Sequence, residues 1–183
     1  MPQSAKWSIV GAVLLTVCVL GAVPLMLRAV DPVPQPEEPT QQVVVASRPD
    51  CAGDFPVDLP CLGGQRVEAA PKPTVVNVWA WWCEPCRKEL PVVAEFASTH
   101  PEYRVVGVHA DAQAANGAAF LDEVGVDTPS FQDEAGAFAG TLGLPGVVPI
   151  TVVLRADGTV AAVLPTVFTT PDDLERAVQE ALR

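Results

Sequence analysis

Two cysteines with two residues between them, Cys83 and Cys86, lie in the segment "VNVWAWWCEPCRKELP". Three chemistries suit such a pair: a redox couple, half of a thiolate metal site, or two buried thiols. The flanking elements favour the first. Thr74–Ala80, "TVVNVWA", is a nearly continuous apolar run rich in β-branched and aromatic residues, so it reads as a buried central strand. A helix is expected from the cysteines to about Ser98, with Pro85 in its first turn, where a missing N–H is harmless. Pro91 falls in the helix interior and is expected to kink it. A cysteine at that strand-to-helix junction faces unpaired N–H groups and the positive end of the helix dipole, which favour a thiolate. Cys83 is therefore the expected nucleophile. Cys86, one turn on, is placed to resolve a mixed disulfide.

The positioning elements come next. Tyr103–Ala110 reads as a second strand, "AQAANGAAFLDEV" as a helix with Gly117 as its weak point, and "EAGAFAGTLG" as a short helix closed by Gly143. "ITVVL" and "TVAAVL" flank "RADG", a hairpin signal in which Asp157–Gly158 is the turn. The last helix has Thr170 as N-cap, Pro171 as first residue and two aspartates in its first turn. "FPVDLPCLGGQRVEAA" is consistent with a further hairpin around its Gly-Gly. The element order predicts an α/β fold with a central mixed β-sheet, helices on both faces and an N-terminal hairpin extension. Phe96 and Leu90 are expected in the core.

Trp7–Leu27 carries no charged residue and is long enough to cross a bilayer as a helix. An uncleaved anchor over residues 1–30 fits better than a secretory or lipoprotein signal, since "LMLRAVDP" is a poor cleavage site and Cys18 sits mid-run. Residues 31–50 are proline-rich and polar and read as a tether. Residues 51–183 form the domain. A net charge of −11 argues against a nucleic-acid partner, which requires a basic face. Of five cysteines, Cys18 lies in the apolar span, which leaves four after an apparent export segment. Disulfides persist outside the cytoplasm. Cys51 and Cys61 read chiefly as a structural disulfide, with a second redox couple or a four-thiolate zinc site as alternatives.

"WAWWCEPCRKELP" resembles the active-site segment of the thioredoxin superfamily. Cys83, Glu84, Pro85, Cys86, Glu89 and Pro91 together resemble its membrane-anchored TlpA/ResA branch of extracytoplasmic thiol–disulfide reductases. "VVPITVVLRADGTV" resembles the family's later signature, a proline opening a strand before a D-G hairpin. The resemblance implies a thioredoxin-like fold and a cis Val148–Pro149 bond beside the dithiol, with Pro145 a lesser candidate because the glycine-to-proline spacing is one residue long. Asn77 stands where thioredoxin itself has a buried aspartate used in proton transfer. Glu89, three residues after Cys86 on one helix face, stands where this branch has a glutamate thought to tune the thiols and shuttle protons; its other reading is a solvated carboxylate.

Strand alternation would send Trp79 and Trp81 to one face and Trp82 to the other. Trp79 reads as core. By its place before the first cysteine, Trp82 resembles the family's exposed substrate-contacting aromatic. Val148 and Pro149 are the expected groove residues, with Val148 offering backbone bonds to an extended peptide. Glu84, with Pro85, is expected to tune the couple: a carboxylate beside Cys83 disfavours its thiolate, which leans the pair toward giving electrons. Arg87 and Lys88 oppose this in part. His100 and His109 read as loop and strand-end residues, and neither a metal nor a cofactor is assigned.

The expected activity is reduction of disulfides in exported proteins, with the CxxCH of an apocytochrome c as a candidate substrate and a transmembrane thiol donor implied by the resemblance. A disulfide-forming oxidase or isomerase, and a non-catalytic metal-binding module, are the alternatives.

Overall fold

The computed structural model describes residues 44–53 and 55–183. The expected anchor, Cys18 and most of the tether lie outside the described residues. Among those described, no helix is long and apolar enough to cross a membrane.

A five-stranded sheet is built from β3 (Thr74–Trp79), β4 (Arg104–His109), β5 (Ser130–Gln132), β6 (Ile150–Leu154) and β7 (Val160–Leu164), in the order β5-β4-β3-β6-β7. β3, β4 and β5 run parallel, while β6 lies antiparallel to β3 and to β7. Every residue of central β3 is buried, which is why its sequence lacks alternation. This is a thioredoxin-like α/β architecture with a mixed sheet and helices on both faces.

Four helices cover the sheet: α1 (Glu84–Thr99), α2 (Ala114–Glu123), α3 (Ala137–Leu142) and α4 (Pro171–Ala181). The connections β3-α1-β4 and β4-α2-β5 step the same way across the sheet, so right-handed crossovers put both helices on one face. There Val93 and Phe96 of α1 and Leu174 and Val178 of α4 pack on Val75, Val105 and Val153. Leu90 packs beside Trp79, Phe120 and Leu121. On the opposite face, Phe138 of α3 joins Val76, Val78, Val108 and Ile150. Thr170 caps α4 as its sequence requires, its hydroxyl accepting the Asp173 N–H at 3.2 Å.

Several expectations are corrected. The N-terminal hairpin is absent: β1 (Cys51–Ala52) pairs parallel with β2 (Arg66–Val67), and Cys61 instead bridges antiparallel to Phe131 beside β5. The Gly-Gly is needed for close packing against the preceding chain, since a Cβ on Gly64 would lie 2.5 Å from the Pro49 carbonyl oxygen. That preceding chain, assigned to the tether, is packed: the Arg48 N–H donates to Gly63 O at 3.0 Å, and its buried guanidinium pairs with Asp122 and donates to the Val126 carbonyl. β5 was not foreseen, being three residues long. Helix α1 continues through Pro91, where the i→i−4 bond is missing for want of an N–H. Gly117, the expected weak point of α2, lies against the His109 ring, where a Cβ would come within 2.6 Å of Cε1 and Nδ1.

Candidate active site

β3 ends at Trp79, and a turn leads to Cys83, the N-cap of α1. Cys83 has extended backbone (φ −85°, ψ 103°), and its sulfur accepts the Cys86 N–H at 3.2 Å, so an orphan donor of the helix start is aimed at it. Pro85 fits this turn because the first residues of a helix need no N–H. Cys83 and Cys86 are joined as a disulfide, as are Cys51 and Cys61. With their sulfurs in two separate bonds, the four cysteines do not form a shared thiolate site, and no metal-binding cluster occurs among the described residues.

One helical turn past Cys86 lies a buried carboxyl. Glu89 is fully buried, so it is not the solvated helix residue of the simpler reading. Its Oε1 accepts the Phe168 N–H and its Oε2 the Asn77 side-chain amide, both at 2.8 Å. Burial pushes its carboxyl above the usual range, against the lowering effect of those two bonds. A buried acid with a raised affinity for protons, one turn from Cys86, is suited to exchange a proton with a thiol.

The surface around Cys83 has two parts. One cleft, about 570 Å³, is lined by Trp81, Trp82, Cys83, Glu84, Arg87 and Glu123 among others. An apolar groove of about 410 Å³ lies between Trp82, Ala139, Leu144, Val147 and Val148. Trp82, 58% exposed, borders both. Val148 is half-buried, packs with the cluster that holds Cys83 and Cys86, and precedes a cis bond to Pro149; Pro145 is not cis. Pro149 itself is buried, so Val147 and Val148 present the groove surface. Among the described residues, no backbone–backbone bond uses the N–H or carbonyl of Val148.

Glu84 is exposed and pairs with Lys88 at 3.5 Å and Arg87 at 3.9 Å. Arg87 also bonds Glu123 at 2.9 and 3.3 Å and lies over the Phe120 ring at 4.6 Å. The two cations set against Glu84 are thus themselves matched by carboxylates.

The tryptophans depart from alternation because the strand ends at Trp79. Trp81 and Trp82 both lie in the turn, and both indole N–H groups donate to one residue, Asp111, at 3.2 and 3.0 Å. Burial works to raise the Asp111 carboxyl, but the Gln113 N–H and the two indoles outweigh it and hold it below the usual range. Sequence reasoning missed Asp111; its signal was an acidic residue just past the end of a strand parallel and adjacent to β3. His109 is buried on Trp79 and bonds Gln132, which in turn donates to the Asp111 carbonyl. Burial pushes its imidazole below the usual range, against the raising effects of the Gln132 bond and the Asp111 charge.

The chain resembles known thiol–disulfide proteins. It is 31% identical over 107 residues to "Thiol-disulfide oxidoreductase ResA" of Bacillus thuringiensis, an alignment covering 54% of this chain and 60% of the relative. It is 35% identical over 103 residues to "Thiol:disulfide interchange protein CycY" of Rhizobium leguminosarum, covering 56% of this chain and 53% of that one. The chain thus spans little more than half the length of these relatives. A crystal structure of a secreted Mycobacterium tuberculosis disulfide oxidoreductase, homologous to E. coli DsbE, superposes with a TM-score of 0.57 at 25% identity, covering 67% of this chain and 93% of that one. The AhpC/TSA family model matches residues 54–163, and the chain belongs to that family.

Proposed function

We propose that this protein is a thiol–disulfide oxidoreductase that works as a reductase of protein disulfides. One observation carries the reading: an N-capping Cys83, disulfide-linked to Cys86 one helical turn before the buried Glu89, opens onto a surface cleft. The Cys83 thiolate attacks a substrate disulfide, forming one S–S bond and releasing one substrate thiolate. Cys86 gives its proton to Glu89 and attacks Cys83, closing the Cys83–Cys86 disulfide and releasing the second substrate thiolate. Val148 offers its free backbone groups to an extended segment, and Trp82 walls the groove.

The direction is supported by Glu84, whose charge opposes a Cys83 thiolate, and by the Arg87–Glu123 pair, which limits the help that Arg87 gives that thiolate. Tethering by residues 1–30, an extracytoplasmic domain, recharging by a transmembrane thiol donor, and an apocytochrome c CxxCH as substrate belong to the same proposal. The names of the relatives support a thiol–disulfide role, and the secreted neighbour supports placing it outside the cytoplasm. Cys86→Ser is the test: Cys83 should remain in a stable mixed disulfide with its substrate, identifiable by mass. Recovery of the variant with Cys83 free, in cells where the wild type cycles, contradicts the reading.

A further inference from the structure

The partners of Glu89 leave something over. Asn77 gives its Nδ2 to Glu89, but its Oδ1 is buried without a partner, and the Thr151 Oγ1 is likewise buried and unpartnered. These two residues face each other across the β3–β6 ladder. Directly opposite residues in an antiparallel pair have Cβ atoms about 5 Å apart on the same face. On the other side of Asn77 the register partner is Gly107, which has no side chain. Leaving a buried amide oxygen and a buried hydroxyl both unmatched is unfavourable, and across the ladder each is a possible partner for the other once the side chains shift into hydrogen-bond reach.

The chemistry of the three groups is directional. An ionised Glu89 only accepts, so Asn77 must present Nδ2, which turns Oδ1 toward Thr151. A protonated Glu89 donates from Oε2, so Asn77 must present Oδ1, which turns Nδ2 toward Thr151. A threonine hydroxyl can donate in the first state and accept in the second; valine can do neither. The Phe168 N–H on Oε1 suits both states, because that oxygen accepts in each.

We propose that Thr151 is a positioning residue, the third member of a buried relay Glu89–Asn77–Thr151 whose amide turns over as Glu89 gains and loses its proton. The relay deepens, and rests on, the reading of Glu89 as the group that takes the Cys86 proton. The groups facing Glu89 are Asn77 from β3, the Phe168 backbone and, one turn back on α1, Cys86; besides burial, the influences on its carboxyl are its two hydrogen bonds, with no neighbouring charge among them.

The test compares Thr151→Val and Thr151→Ser with the wild type in the full chain. The Glu89 carboxyl is followed by 13C NMR against pH, and release of reduced substrate is timed alongside. Thr151→Val leaves the amide oxygen unmatched when Glu89 is ionised and an amide N–H unmatched when it is protonated; the orphaned N–H is the costlier of the two, so the Glu89 midpoint should fall, and release should slow by up to about fivefold, one hydrogen bond's worth. Thr151→Ser, which keeps the hydroxyl, should overlay the wild type. A Glu89 titration unmoved in Thr151→Val overturns the relay, as does a Thr151→Ser curve matching Thr151→Val. A midpoint that moves while release does not supports the relay and overturns proton transfer to Glu89.

Discussion

Cys51–Cys61 and Cys83–Cys86 are both closed disulfides in one domain, but their sulfurs meet opposite polarity. The Cys83 sulfur receives an N–H at the start of α1, at 3.2 Å. The Cys51 and Cys61 sulfurs lie against carbonyl oxygens, of Ser130 at 3.1 Å and Pro49 at 3.5 Å. A thiolate is stabilised by the first surroundings and repelled by the second. Cys83 borders an open cleft, and a buried carboxyl, Glu89, lies one helical turn past Cys86; the second pair ties a loop with a sequence separation of 10 against the sheet edge. The proposed function thus assigns exchange to one of these bonds and holding to the other.

The sharpest way to break this comparison is to remove each pair in turn. Cys83→Ser should abolish disulfide-reductase turnover, on the order of a thousandfold or more, as loss of a nucleophile does. Replacing Cys51 and Cys61 together by serine should keep turnover within about threefold and lower the unfolding free energy by roughly 2–3 kcal/mol in urea titrations. A folded double variant without turnover would make the second pair redox-active.

Glu89, the buried carboxyl one helical turn past Cys86, sharpens the contrast further. Its folded-state proton affinity is raised above the unfolded value. The stability linked to it is therefore fully present below its unfolded titration range and is lost as pH rises through the folded one. Glu89→Gln removes this dependence. Relative to wild type it should gain stability as pH rises through that window, read by urea titrations at several pH values, while its turnover falls.

A smaller effect is expected at the rim. Asp111→Ala frees both indoles, so the tryptophan emission should change and kcat/KM for a protein disulfide should fall about fivefold. The Cys51–Cys61 bond should not notice. Unchanged emission would mean that the indoles are fixed by packing alone.

Much of this was legible in the sequence because it is local. The β3 run, Pro85, the CxxC and the Thr170-Pro171 start each carry their own structural instruction. Asp111 and Thr151 were not legible, because each acts through a register or a strand end that only the assembled sheet brings into reach. The expected hairpin around Gly63–Gly64 failed for a related reason: those glycines answer to the chain at Arg48–Pro49, not to a turn between neighbouring strands. Alternation misplaced Trp81 and Trp82 because it presumes a strand where the chain has already turned.

The central claim, that Cys83–Cys86 exchanges and gives electrons while Cys51–Cys61 holds, is tested most directly by equilibrating the protein in a series of thiol–disulfide buffers and counting each pair's free thiols by mass. The account predicts that Cys83–Cys86 titrates nearer thioredoxin's roughly −270 mV than the roughly −120 mV of a strong oxidant, with Cys51–Cys61 still closed below about −300 mV. A Cys83–Cys86 potential near about −120 mV, or the two pairs opening together, would contradict it.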